Sequence, residues 1–572
     1  MAVVGVLVPV GQGLWVRSAD ARGWLPGDGA AVVATLAMLA APGVVAAVLA
    51  WRWPRIGGAA AGLWALPWLL WFADPHLERE ALWVVAAVVL VGLAAWGARR
   101  PSVGFAVLAL AGAGAGGWPV QGQTAKDAVG NGVECAVVGE SVGEGAPTIV
   151  LVTLDTVRAD HLGAIGGARF QAPTPHLDGL VGRGTLFTEG VAPAPLTGPA
   201  HTAMLTGCDP LSLGVLRNGV AVPSGASAVA ATLHARGYRT GAFLGANVLD
   251  RRVGLERGFD HYDDRFDPWH RLRPTWPRRL LGRLGWVRDR RQRSGGEVVE
   301  RATRWLEAGE GPTFLWVHLY DAHHPYDPEP AFVDAVVDVE PGGQGSAEDV
   351  ADWAAWRKEW ARVPDLPGAT PRGDVARRLR AYAAEVGEVD ALVGRLLQVL
   401  PEGSAVLVAA DHGESLTEHG YVLNHGAHVY QATVRVPFVA VGPGFDPGAR
   451  VARPTPSQRV AGTLLRWGGI DAVGLQTPYD VDEEGPIESF TTGQEARRRL
   501  RLAPRSAELA QRDGSAKYLV RQGQSWRFDL DVDPEERHPI AVPPEGRRAR
   551  LLEIDEGGSP VVEGLEALGY VD

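Results

Sequence analysis

The first 118 residues carry four apolar runs, Ala30–Trp51, Gly57–Ala73, Ala81–Ala98 and Val103–Trp118. Each approaches or reaches the roughly 20 residues needed to cross hydrocarbon. A shorter run, Ala2–Val16, precedes them and is compatible with a fifth span, a signal-like segment or partial insertion. Arg52 and Arg55 share one loop and Arg99 and Arg100 another, while the loop between, Asp74–Glu80, is acidic on balance. The positive-inside rule puts both arginine loops in the cytoplasm and everything after Trp118 outside. Ten of the 20 tryptophans fall in this part, several at span ends where amphipathic rings sit at headgroup level. The pattern predicts an N-terminal transmembrane helical bundle of four or five helices over residues 1–118.

Residues 119–147 are small, polar and glycine-rich and read as a linker. Beyond it the period changes. Thr148–Leu154, Thr240–Gly245, Thr313–Leu319, Ala405–Ala409 and Phe438–Val441 are short apolar runs bounded by turn formers, as buried parallel strands would be. Between them lie helical patterns, the clearest placing Val386, Val389, Leu392, Val393, Leu396, Leu397 and Leu400 on one face. This alternation predicts an α/β domain over 148–448, with a mainly parallel sheet and helices on both faces. Residues 335–375 lack a clear period and read as a surface excursion or lid, and 449–572 as a C-terminal subdomain with a small second sheet.

Charge narrows the partners. The chain's net charge is −11, and the first 118 residues carry +2, which leaves −13 on the rest. Such a domain repels polyanions, so nucleic acid is excluded. One segment runs against this balance: Arg271 to Arg293 holds nine arginines and one acid, with Trp276 and Trp286, and reads as a solvated basic loop or an amphipathic segment on anionic headgroups. Cys135 and Cys208 lie in the linker and the catalytic region, and the reading favours leaving them unpaired.

In a doubly covered parallel sheet, ligands bind beyond the carboxyl ends of the strands. Here the first strand runs into Asp155, the third into Asp321, His323 and His324, and the fourth into Asp411 and His412. Carboxylates with imidazole suit a divalent cation, zinc first, with calcium or manganese as alternatives. The segment APLTGPAHTAMLTG, from Ala194, adds a hydroxyl. Pro199 fits a first helical turn, which puts Thr197 or Gly198 at a helix N-terminus, where unpaired amides and the helix dipole favour an anion. A threonine alcohol becomes a nucleophile only when a metal or base strips its proton. Metal ligands at the same sheet edge would do so; the plainer reading of Thr197 is a helix cap.

These segments resemble the sulfatases and sulfatase-like hydrolases of the alkaline phosphatase superfamily. LVTLDTVRADHLG from Leu151, APLTGPAHTAMLTG from Ala194, the stretch from Arg236 to Tyr262, VHLYDAHHPYDP from Val317, ADHGESLTEHG from Ala410 and HGAHVYQATVRVPFVAVGPG from His425 follow the family's order, and FDLDVDPEERHPI from Phe528 also looks like it. The resemblance implies an alkaline-phosphatase-like fold, a metal held by Asp155, Asp411 and His412 with Thr197 at the nucleophile position, and His323 and His425 holding the transferred group or a second metal. It implies an anionic ester substrate, which the tether makes plausible as a lipid-linked or glycan ester.

The departures are informative. Sulfatases proper carry a Cys or Ser that matures to formylglycine, followed by an arginine; here the positions are Thr197 and His201, and no formylglycine can form on threonine. The doubled Asp of the first ligand is Asp155-Thr156, and the Asn usual after the late Asp is His412, as in phosphorus-transferring branches. A phosphoester or phosphonoester is therefore favoured, with a sulfuric ester as alternative and a catalytically inactive binding protein as a further one. His201, Arg158 and Asn218 are the candidate substrate contacts, with Arg217 beside Asn218; for Arg158 a structural role is the stronger reading. His318 reads as a satisfied buried histidine, Glu414 and His419 as residues that pin the loop after Asp411, and only one of His323 and His324 is expected to face the pocket.

Overall fold

The computed structural model describes residues 146–226, 228–266, 292–340, 344, 346–360, 375–470, 487–491, 508–521 and 524–543. The expected membrane bundle, nearly all of the linker, Cys135 and all but the last two residues of the basic segment lie outside the described residues. Among the described residues no helix is long and apolar enough to cross a membrane.

The strands and helices, in chain order, are β1 (Ile149–Leu154), β2 (Phe170–Gln171), α1 (Pro175–Arg183), β3 (Thr185–Val191), α2 (Thr197–Thr206), α3 (Val229–Ala235), β4 (Arg239–Leu244), β5 (His261–Asp263), α4 (Gly295–Glu307), β6 (Thr313–Leu319), α5 (Pro330–Ala335) and β7 (Val337–Asp338). They continue as α6 (Ala347–Trp360), α7 (Val375–Leu397), β8 (Ala405–Ala410), α8 (Gln431–Val434), β9 (Arg435–Val441), β10 (Ala449–Val451), β11 (Thr455–Pro456) and α9 (Arg459–Trp467). Strands β12 (Ile487–Thr491), β13 (Glu508–Asp513), β14 (Ala516–Arg521), β15 (Gln524–Asp529) and β16 (Ile540–Ala541) close the described chain.

The large sheet has the order β10-β3-β9-β8-β1-β6-β4-β5, with β11 also on β3. Strand β1 lies at its middle, parallel to β6 and β8, and all six of its residues are buried. Its alternation divides the core. Val150, Val152 and Leu154 join the apolar cluster built with α1, α4 and α7, whereas α9 packs with α2, α3 and β1 on the other side. Helix α7 buries Val386, Val389, Leu392, Val393 and Leu396, the predicted face; Leu400 falls beyond its end. The register aligns Leu154 with both Leu319 and Ala410, so Asp155, Tyr320 and Asp411 leave the sheet at one level.

Two expectations are corrected. Strand β9, which contains Phe438–Val441, runs antiparallel to both β8 and β3. A parallel neighbour needs a crossover to the opposite edge; residues 411–434 instead stay at the carboxyl edge of β8, so the next strand must return. Residues 449–467 extend the large domain rather than beginning a subdomain, since β10 and β11 pair with β3. The small second sheet is five-stranded and antiparallel, β12-β13-β14-β15-β16. Within the excursion, α6 buries Trp353 and sets the Trp353 and Trp356 rings each 4.7 Å from His419, over the loop that follows β8.

Candidate active site

The end of β1 makes a sharp turn. Thr156 has φ 60°, a left-handed conformation unfavourable for a β-branched residue. The surroundings hold it there: its N–H donates to Asp411 Oδ1 (3.3 Å), its hydroxyl to the Asp155 carbonyl (2.7 Å), and its carbonyl accepts from Tyr382 Oη (2.7 Å). The turn leaves Asp155 fully buried beside Asp411 and His412, also fully buried. Asp411 Oδ1 is occupied by the Thr156 and His412 N–H groups, the latter at 2.7 Å. Gly413 is required behind them, because a Cβ there would lie 2.3 Å from the Ala432 carbonyl oxygen.

Thr197 opens α2, after Leu196 in extended conformation. Its Oγ1 lies 3.4 Å from Asp155 Oδ2 and 3.4 Å from His412 Nε2. His412 Nε2 in turn is 3.6 Å from Asp411 Oδ2 and 3.9 Å from Asp155 Oδ1. The structure thus brings Asp155, Thr197, Asp411 and His412 to one point. Asp155 Oδ1 and Asp411 Oδ2 are buried there with no hydrogen-bond partner, a costly state for two carboxylates unless a cation or proton joins them. Burial raises the pKa of both, and their proximity adds to the rise at Asp411. For His412 burial opposes protonation, but Asp411 and Asp155 outweigh it and lift its pKa.

On the facing side, His425 stacks obliquely on His412, ring centroids 4.5 Å apart, and meets His323 edge-on at 5.0 Å. His425 Nδ1 lies 3.3 Å from Glu414 Oε1, and His323 Nδ1 donates to the His324 carbonyl at 2.7 Å. His323 also stacks on Tyr320 at 4.3 Å, and burial lowers its pKa to about 4, with Asp155 opposing. His324 turns instead toward Tyr326.

The three candidate substrate contacts have protein partners. Arg158 pairs with Asp160 and Glu418, each at 2.6 Å, and donates to the Glu414 carbonyl, which ties the loop after β1 to the loop after β8. Asn218 Oδ1 accepts the Gly198 N–H at 2.7 Å, so that helix-terminal amide is not open to an anion as expected. His201 is fully buried, its Nδ1 donating to the Thr197 carbonyl (2.8 Å) and its Nε2 3.0 Å from Thr153 Oγ1. It supports the helix from behind. His318 is buried as expected, yet its Nε2 has no hydrogen-bond partner and lies 3.5 Å from Asp155 Oδ2. His419 and Glu418 pin the loop: His419 stacks on Tyr430 at 3.5 Å, and Glu418 accepts the Leu416 and Thr417 N–H groups. Thr153, missed from the sequence, had one signal: it is the polar residue inside an otherwise apolar strand, two places before Asp155.

A mainly parallel sheet with a buried acid, imidazole and hydroxyl site at its carboxyl edge defines the class, and comparison supplies the family. The Sulfatase family model matches residues 147–470; the chain belongs to that family. Curated relatives include an ulvan-active sulfatase of Formosa agariphila, 26% identical over 56% of this chain and 61% of that one. A choline-sulfatase of Rhizobium meliloti is 26% identical over 70% of this chain and 84% of its own. The chain spans 61% and 65% of the length of the two Formosa sulfatases it matches. In fold it is similar to a phosphonate monoester hydrolase of Agrobacterium radiobacter, TM-score 0.54 at 21% identity, covering 74% of this chain and 96% of that one.

Proposed function

We propose that this chain is a membrane-anchored, extracytoplasmic, metal-dependent hydrolase or transferase that uses Thr197 as nucleophile on a phosphoester or phosphonoester. One observation carries the reading: the Thr197 hydroxyl at the head of a buried helix, 3.4 Å from both Asp155 and His412, beside two buried carboxylate oxygens that lack partners. The ligand atoms of Asp155, Asp411 and His412 all lie within 4.8 Å of one another. Two carboxylates and an imidazole fit zinc, with calcium and manganese as alternatives. A divalent cation held by these three would supply Lewis acidity, lowering the pKa of the hydroxyl and drawing charge from the transferred group.

The chain's own residues supply the rest. Thr197 Oγ1 gives up its proton to solvent and forms the bond to phosphorus, and the ester oxygen departs with the electrons of the broken bond. His323 and His425 have Nδ1 engaged by the protein, so either ring meets an anionic oxygen or passes a proton to the departing one only as an imidazolium with its second proton on Nε2, a state that the anionic ester itself favours. Water or an acceptor alcohol then displaces Thr197 from phosphorus and restores the hydroxyl. Threonine in place of the formylglycine precursor, and His412 in place of asparagine, support phosphorus over sulfur. The sulfuric ester reading stands second because the curated relatives are sulfatases. A tether within residues 1–118 suits lipid-linked or glycan esters at a membrane surface.

The test is a panel of aryl sulfate, phosphate monoester, phosphodiester and phosphonate ester substrates on wild type and Thr197→Ala. Phosphodiester or phosphonate turnover is expected to lead and to fall on the order of 10³-fold or more in the variant. Preferential sulfate turnover that survives the substitution overturns the assignment.

A further inference from the structure

Of the three residues that leave the central strands at one level, Asp155 and Asp411 serve the proposed cation, and Tyr320 has no part in the reaction as derived above. The turn after β6 shows what it does. The His323 N–H donates to the Tyr320 carbonyl at 3.1 Å, which closes a four-residue turn and brings side chain 323 back over side chain 320. Within the turn, Asp321 Oδ1 accepts the Gly295 N–H at 2.8 Å and ties it to the start of α4, and Ala322 is fully buried. Tyr320 is fixed at both ends. A Cβ on Gly245, just after β4, would lie 3.0 Å from Tyr320 Cβ, and the Tyr320 hydroxyl hydrogen-bonds Gln292.

The ring held in this way lies flat against His323, with centroids 4.3 Å apart and 20° between the planes. What needs holding is the plane of the imidazole. The torsion that turns a histidine ring about its own axis is broad and only weakly preferred. The hydrogen bond from His323 Nδ1 to the His324 carbonyl, 2.7 Å, fixes one atom of the ring and lets the rest pivot about it. A stacked partner removes the pivot, because tilting one ring against the other loses contact on one side and overlaps on the other. His425 then meets the held ring edge-on at 5.0 Å.

We propose that Tyr320 is a positioning residue that holds the imidazole plane of His323, so that Nε2 is aimed at the transferred ester before the ester arrives. Tyr320 acts through His323, and the inference rests on the reading of His323 as a group that meets the ester. The charge on the ring does not enter, because the stack and the Nδ1 donor are the same for imidazole and imidazolium. The stake is large: a displacement of about 1 Å at a reacting group costs on the order of 10²-fold in rate.

The test is a double-mutant cycle on the full chain, read on an ester with an activated aryl leaving group so that slow variants stay measurable. Tyr320→Leu keeps bulk without a flat face and should lose about 10- to 100-fold, most of it in kcat. Tyr320→Phe keeps the face and should retain near-wild-type turnover. In the His323→Ala background, Tyr320→Leu should cost no more than about twofold, because the ring it holds is gone; a merely structural role predicts the same loss in both backgrounds. In histidine-labelled protein the His323 ring protons should lie upfield in wild type and Tyr320→Phe, from the ring current of the stacked face, and move downfield in Tyr320→Leu. Where His323→Ala leaves no rate to read, the Phe variant and the ring-proton shifts decide. Equal losses in the two backgrounds, a Phe variant as slow as the Leu variant, or ring protons unmoved by Tyr320→Leu overturns the positioning role alone. Full turnover in His323→Ala overturns the reading of His323 and the positioning role with it; a wild type that turns over no ester overturns the proposed function as well.

Discussion

At the scale of single residues, several buried acids of this domain accept backbone N–H groups, among them Glu385, Asp390 and Asp411. Glu385 of α7 shows the consequence for pH. It is buried and accepts the Asp327 N–H at 2.7 Å. Burial raises its pKa from 4.5 to about 8, with that hydrogen bond opposing and Glu388, Asp321 and Asp327 adding to the rise. The unfolded chain gives up this proton near 4.5 and the folded one near 8, so stability is lost as pH climbs between those values. Glu385→Gln keeps an acceptor without the charge. Its thermal midpoint should match wild type below pH 4.5 and exceed it by a margin that grows to about pH 8 and then levels. Equal margins at both ends of that range would contradict the account.

At the scale of elements, the segment between β8 and β9 carries His412 and His425, and the small sheet grips it through charges. Glu508 and Glu536 each accept a backbone N–H, from Val429 (3.2 Å) and Gln431 (2.6 Å). Each is also paired with a buried cation, Arg521 at 2.6 Å and Lys517 at 2.7 Å, and Lys517 donates to the Val429 carbonyl as well. Buried ion pairs add little net stability over apolar packing, but removing one partner strands the other. Lys517→Met should therefore cost about 3–5 kcal/mol in denaturant unfolding. Lys517→Met/Glu536→Gln should regain more than half of that loss, since the amide still accepts from Gln431. A single variant that unfolds like wild type would show that the pair does not hold the segment. None of these partners is visible in the sequence, because they lie 79 to 105 residues from the backbone they bind. The strand ends were legible for the opposite reason: each acid or imidazole follows directly on an apolar run, and in-register parallel pairing then collects them without further information. Arg158 and Asn218 marked the right region but not their partners, Glu418 and the Gly198 amide, which only the folded loops supply.

At the scale of the whole molecule, the tether proposed for residues 1–118 predicts that the full chain stays in the membrane pellet through an alkaline carbonate wash and leaves it only with detergent; release by carbonate would refute anchoring. The reversal at β9 was hidden in the sequence, since an apolar run records burial and not direction; what sets direction is where the preceding segment lies. That reversal has a consequence for divergence. Residues 411–434 leave and re-enter the sheet on adjacent strands, about 4.8 Å apart. Both feet of the excursion are held on neighbouring strands, so the stretch between the points gripped by Arg158 and by the small sheet can change length while the frame keeps its spacing. Asp411 stands at the root of this cassette and is constrained with the frame; His425 lies within it, so on the function proposed above a change of ester preference would not require the rest to refold.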